Sequence, residues 1–211
     1  MEEQIRAEPT SGLPYMARGR VLAQTGDTQE AIKAFRDALA MQPSHGSSYN
    51  NLALLLKRSV NERLVNLRSS EMVEEVIKHY KTAAALLPGN PHPSSNLGIF
   101  LSTQGRHQEA LDVLEPLFKS MVHGSPGMVE TAYNLALVRS NSGKVESGNE
   151  LLKWVTHEAP ELCQASLMLG RSHMQVMCIQ SCLNSNPNPN PNSNPNPNPE
   201  LNLVDWGECY R

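Results

Sequence analysis

Apolar residues recur along the chain at intervals of three and four, the spacing that puts side chains on one stripe of an α-helix. In TGDTQEAIKAFRDALAMQP, Ala31, Phe35 and Ala38 form such a stripe, with Gly26 ahead of it and Pro43 behind it. The glycine loosens the chain before the helix, and the proline stops it. The same layout returns in QGRHQEALDVLEPL, where Gly105 precedes Ala110, Leu114 and Leu117. It returns again in SGKVESGNELLKWVTHEAP, with Gly143, Gly148, Leu152, Val155 and Pro160. In EEVIKHYKTAAALLP the places go to Val76, Tyr80, Ala83 and Pro88, and Glu71 stands where the glycine would be.

A second stripe, built large, small, large, precedes each of these. It reads Tyr15, Gly19 and Leu22, then Tyr49, Leu52, Ala53 and Leu56, then Leu97, Gly98 and Leu101, then Ala132, Leu135 and Ala136. The small residue lets two helices of a pair approach closely. Asn-Leu-small recurs inside these stripes at Asn51, Asn96 and Asn134. A helix pair repeated at a fixed period is the mark of a stacked array. The pattern resembles the tetratricopeptide repeat (TPR) family, whose unit of about 34 residues is helix, turn and helix. The resemblance implies an all-α, right-handed α-solenoid of about four TPR-like helix pairs plus one extra helix, with a disordered C-terminal tail. The expected organisation is an N-terminal segment over 1–11, units over 12–45, 46–90, 91–124 and 129–160, a partial unit over 161–183, and a tail over 184–211.

Three places depart from the pattern. The second unit carries an insertion near KRSVNERLVNLRSS; Val60, Leu64 and Leu67 continue the preceding helix, so a longer first helix is expected. A turn near Ser69 and Ser70 should follow, with Glu71, Glu74 and Glu75 favouring the next helix's N-terminus. Extra residues also fall near HGSPG, His123 to Gly127, and Pro116 inside a helix should kink or split it.

The tail from Asn184 to Pro199 is NSNPNPNP in tandem, with no apolar residue, and should be extended and disordered. A tandem repeat in DNA accounts for it more readily than a Pro-rich ligand segment, because the arginines and the P-x-x-P-plus-basic context of such ligands are missing. Ahead of it, Leu162, Leu167, Leu169, Met174, Val176, Met177 and Ile179 make 161–183 too apolar for a polar-faced terminal cap, which suggests an array cut short.

Composition narrows the function classes. A formal net charge of −3 gives no strong global attraction to nucleic acid or anionic lipid. No apolar run approaches the roughly 20 residues of a membrane span, and the acidic start MEEQIRAEPTSG lacks a signal peptide's apolar stretch. Cys163, Cys178, Cys182 and Cys209 form no C-x-x-C pair, so a cytoplasmic, reducing location is expected. His173, Cys178 and Cys182 are spaced too loosely for a zinc site, and free thiols are the expected reading. No nucleophile motif or phosphate loop is legible, so neither enzyme activity nor a cofactor or metal is expected.

The site reading rests on the TPR frame. Asn51, Asn96 and Asn134 take the sixth position of their units, which faces the family's concave groove. An Asn amide pairs with both N–H and C=O of one extended residue. A row of them resembles the asparagine ladder in the TPR array of O-GlcNAc transferase; the competing reading is local hydrogen bonding at the helix face. Arg20, Asn50, Lys57, Arg58, His92, Ser95, Ser102, Glu130 and Tyr133 are the other expected groove positions. The chaperone-binding carboxylate clamp of some TPR proteins is absent or degraded, because Asn51 fits it but Met16, Arg20, His92 and Asn96 replace its other members. The resemblance therefore implies a non-catalytic scaffold. It would bind an extended peptide or helix, an acidic one if Arg20, Lys57 and Arg58 act as selectors. The alternative is the substrate-recruiting part of a larger enzyme, such as a glycosyltransferase.

Overall fold

Two recurring turn devices set the helix boundaries of the computed structural model, which describes residues 12–62 and 70–172. Gly26, Gly105 and Gly143 each adopt a left-handed φ, at 92°, 78° and 84°, and close a first helix. Only glycine does this without strain. Prolines open others: Pro14 and Pro93 sit in first turns, where a missing N–H leaves nothing unsatisfied.

The resulting helices are α1 (Leu13–Thr25), α2 (Thr28–Met41), α3 (Gly46–Glu62), α4 (Ser70–Leu86), α5 (His92–Thr103), α6 (His107–Ser120), α7 (Met128–Asn141) and α8 (Val145–Glu158). Residues 163–172 form a further helical segment, α9. No strand occurs among the described residues. The architecture is an all-α solenoid of antiparallel helix pairs, α1/α2, α3/α4, α5/α6 and α7/α8. Each helix packs on its chain neighbours, and α5 also touches α7. The chain divides into a unit over Met1–Gly170, which holds all eight of these helices, and a second over Arg171–Arg211.

The core is a continuous seam rather than a ball. Phe35, Leu52, Tyr80, Phe100, Leu114 and Leu135 lie in one apolar cluster running from α2 to α7. A smaller cluster of Ala132, Ala136, Leu152, Val155 and Ala165 continues it through α8 into α9. Few aromatics suffice because the seam is filled layer by layer; the Tyr80 and Phe100 rings lie 6.5 Å apart and link the second pair to the third. On the surface, Arg36 pairs with Glu75 at 2.9 Å and Arg139 with Glu115 at 3.2 Å. These pairs tie successive units together; the Arg36–Glu75 pair, with its guanidinium exposed, contributes little individually, and the Arg139–Glu115 pair is half-buried.

The departures from the repeat resolve differently from one another. Helix α3 has 17 residues, against 13, 12 and 14 for α1, α5 and α7. Leu64, Leu67 and the expected turn residue Ser69 lie outside the described residues, and the side chain of Val60 does too. Glu71 occupies no turn, because α4 begins at Ser70 and Glu71 falls in its first turn. The HGSPG stretch is a loop between α6 and α7, with Gly124 and Gly127 at φ 80° and 79°. Of the kink or split expected at Pro116, the split does not occur, since α6 runs as one helix from His107 to Ser120. Pro116 and Asp112, whose carbonyl loses its partner, are both exposed, which leaves the freed carbonyl accessible to solvent. The Asn/Pro tail and Met174, Val176, Met177 and Ile179 lie outside the described residues. No described helix is long and apolar enough to cross a membrane.

The close approach of the pairs is tightest at Gly98, where an added methyl would overlap the side chain of fully buried Leu114. Gly98→Ala should lower the free energy of unfolding by about 1–3 kcal/mol. Gly170→Ala, with nothing within 4 Å of the new methyl, should leave it unchanged or raise it by up to about 1 kcal/mol. Urea titrations of the two variants read the difference. Tyr80 is fully buried with no partner for its hydroxyl among the described residues, and burial pushes its phenol pKa upward. Tyr80→Phe should therefore be neutral or stabilising by up to about 1 kcal/mol; a clear fall in melting temperature would show that the hydroxyl is satisfied.

Candidate functional site

The first helices of the pairs, α1, α3, α5 and α7, form one layer. Three of them carry the Asn-Leu-small motif, and the motif asparagines of α5 and α7 reach across this layer. Asn96 Nδ2 donates to Asn50 Oδ1 at 3.4 Å, and Asn134 Nδ2 donates to Ser95 Oγ at 2.8 Å. In the repeat frame both bonds run from the sixth position of one unit to the fifth position of the unit before. Numbering α9 by Gly170 as its small residue makes Met168 the next sixth position. Tyr133, at the fifth position of α7, donates its hydroxyl to Met168 Sδ at 3.7 Å. The first step breaks the series, because the fifth position of α1 is Met16, which is buried and offers only a weak sulfur acceptor. Asn51 accordingly has no hydrogen bond among the described residues and lines two adjoining cavities instead.

Local hydrogen bonding therefore leaves all three amides half-buried rather than enclosed. Asn96 and Asn134 each commit one N–H and keep a carbonyl oxygen, whereas Asn51 keeps everything. Ser95 and Ser102, expected in the groove, are instead buried at 1% and 5% exposure. Their hydroxyls serve as internal acceptors, Ser95 for Asn134 and Ser102 for Asn141 at 3.3 Å. Serine is small enough to sit under the helix layer where a longer polar side chain would reach solvent.

At the α1/α3 end, a cavity of about 550 Å³ is lined by Leu13, Met16, Arg20, His45, Ser48 and Asn51. A smaller one of about 210 Å³ shares Arg20, Phe35 and Asn51 and adds Leu54. His45 Nδ1 accepts the Ser48 backbone N–H at 3.2 Å and so steadies the start of α3. Arg20 and Arg58 are exposed, while Lys57 is half-buried and its ammonium pKa is pushed down by desolvation. At the far end, a cavity of about 580 Å³ lies between α7 and the α8–α9 turn, lined by His92, Glu130, Tyr133, Asn134, Glu161 and Leu162. His92 Nδ1 is 3.2 Å from Glu130 Oε2, and burial pushes the Tyr133 phenol up. The sequence named His92, Glu130 and Tyr133 for the groove but missed His45, Glu161 and Leu162. These three lie in or beside the turns between units, where the repeat frame assigns no position.

Among the described residues no group of three His, Cys, Asp or Glu side chains can hold a metal ion. Cys163 is exposed as a free thiol. His173, Cys178 and Cys182 lie outside the described residues.

Comparison with known proteins agrees with the helix pairing. The tetratricopeptide repeat family matches residues 13–45. The TPR repeat-containing protein YvcD of Bacillus subtilis (strain 168) is 27% identical over 136 residues, which is 64% of this chain. The chain spans about a quarter of that relative, 25% of its length. Among solved structures, YrrB, a TPR protein with an unusual peptide-binding site, superposes with a TM-score of 0.62 at 16% identity over 83% of each chain. PilF of Pseudomonas aeruginosa gives 0.65 at 20% identity, over 79% of this chain and 69% of its own. A thermophilic TPR protein of Thermus thermophilus gives 0.66 at 14% identity, over 82% and 87%.

The uneven engagement of the asparagines has a measurable consequence. Asn134→Ala leaves the buried Ser95 hydroxyl without its donor and should cost about 1 kcal/mol of stability. Asn51→Ala removes no internal bond and should stay within about 0.5 kcal/mol of the parent. Chemical denaturation of both variants makes the comparison; equal losses would contradict the bridging role.

Proposed function

We propose that the chain, whose residues 13–45 match the tetratricopeptide repeat family and whose later helix pairs repeat that layout, is a non-catalytic scaffold holding an extended peptide of another protein along its first-helix layer. The observation that carries the reading is the chemistry left open at the α1/α3 end. There the Asn51 amide and the Arg20 guanidinium, neither engaged by the described residues, line the same two cavities beside the apolar surface of Leu13 and Leu54. A bidentate amide grips main chain without demanding sequence, apolar walls take side chains, and a guanidinium selects for a carboxylate. Asn96 and Asn134 continue the row with their free carbonyl oxygens, Lys57 and Arg58 add positive charge on α3, and Tyr133 forms a wall further along. A peptide-binding site is described for YrrB, whose helix pairs superpose on these. Catalysis, if the parent process needs it, belongs to partners.

The test is quantitative affinity capture with the full chain, comparing the parent with the Arg20→Ala/Asn51→Ala double variant after their melts are shown to match. Partners that occupy the groove should fall at least fivefold on the variant. Equal recovery of every partner would move binding to the second-helix face and end the groove reading.

A further inference from the structure

The two ends of the groove carry opposite charge. The linings at the α1/α3 end include Arg20 and His45 and no carboxylate. The lining at the α7 end includes Glu130 and Glu161 and neither lysine nor arginine. Glu161 has no ion-pair partner among the described residues. Glu130 faces His92 at 3.2 Å, a contact that is an ion pair only while the imidazole is protonated. The two carboxylates share their cavity with Tyr133, Val129 and Leu162. That combination suits a long cationic side chain, whose methylene stem lies on apolar and aromatic surface while its head meets carboxylate.

We propose that the α7-end cavity is a subsite for a lysine or arginine side chain, so that the groove takes a dipolar peptide, acidic toward α1 and basic toward α7. The proposal rests on the groove reading and adds to it the ligand's charge pattern and direction. Amides that grip main chain are indifferent to which way an extended peptide runs; opposite charges at the two ends remove that indifference, because the reversed peptide meets like charge at both. The spacing follows from geometry. Three steps between neighbouring first helices, each about 8–10 Å, set against about 3.3 Å per extended residue, separate the acidic and basic residues by roughly eight positions.

The experiment is selection of a random dodecapeptide display library on the immobilised full chain, repeated on the Glu130→Gln/Glu161→Gln variant and on Arg20→Gln. All three substituted side chains are exposed, so folding is retained and is checked by circular dichroism. Peptides enriched on the parent should pair Asp or Glu with Lys or Arg about eight positions away, in one chain direction. The Glu130→Gln/Glu161→Gln variant should lose the basic preference, keep the acidic one, and bind the synthetic consensus about tenfold more weakly. Arg20→Gln should do the converse. Enriched peptides without a basic residue at that spacing, or with one that survives Glu130→Gln/Glu161→Gln, would overturn the subsite while leaving the groove. A library that enriches nothing on the parent would remove the groove reading and the subsite together.

Discussion

The structure depends on how closely the two helices of a pair approach. Gly19 lets the Phe35 ring come within 3.0 Å of where a methyl would stand, and Gly98 gives the same room to Leu114. Ala53 and Ala136, fully buried, hold the corresponding places in the other pairs. A larger residue there would pry the pair apart and tilt every later unit, because in a solenoid each unit is oriented only by its neighbours. The same closeness explains why an aromatic content of 5% is enough. The seam is thin, and alternating large and small side chains fill it at the density of any protein interior.

Much of this was legible in the sequence because the constraint is periodic. The stripes at three and four residues, the turn glycines and the small packing residues repeat, and each repetition reinforces the frame. What escaped the sequence is what breaks the period. Proline at 116 looked like a helix breaker, but it and Asp112 lie on the exposed face, and local preference yields to packing of Ala110, Leu111 and Leu114 on the opposite face. Ser95 and Ser102 looked like groove residues by frame alone, yet hydroxyls that small can be buried once a neighbouring asparagine donates to them. Glu161 and Leu162 sit in a turn, where frame-based reasoning has no position to assign.

The asparagines show how one residue type serves both demands. A row of polar amides along an inner helix layer would be costly to leave wholly unpaired, and the array pairs them by a fixed rule, sixth position to fifth of the preceding unit. The rule holds whether the acceptor is an amide, at Asn50, or a hydroxyl, at Ser95. With Tyr133 and Met168 it holds with the donor on the other side. The bridge needs only that some polar pair meet at that register, so sequence drifts while the register is kept.

The rule also bears on where the proposed peptide would be held. A bridged amide has spent one N–H and is held in orientation by its partner; it offers a carbonyl on a fixed arm. Asn51 has spent nothing among the described residues, because the unit before it presents the sulfur and methylenes of Met16 where the others present oxygen or an amide. Exchange of a single acceptor thus frees an amide at one end of the row, beside the Arg20 guanidinium and an apolar wall. At the other end, where Tyr133 and Met168 engage each other, exposed carboxylates supply the polar chemistry. On the proposed reading the groove would be graded, with main-chain recognition concentrated at α1 and α3 and side-chain charge at α7.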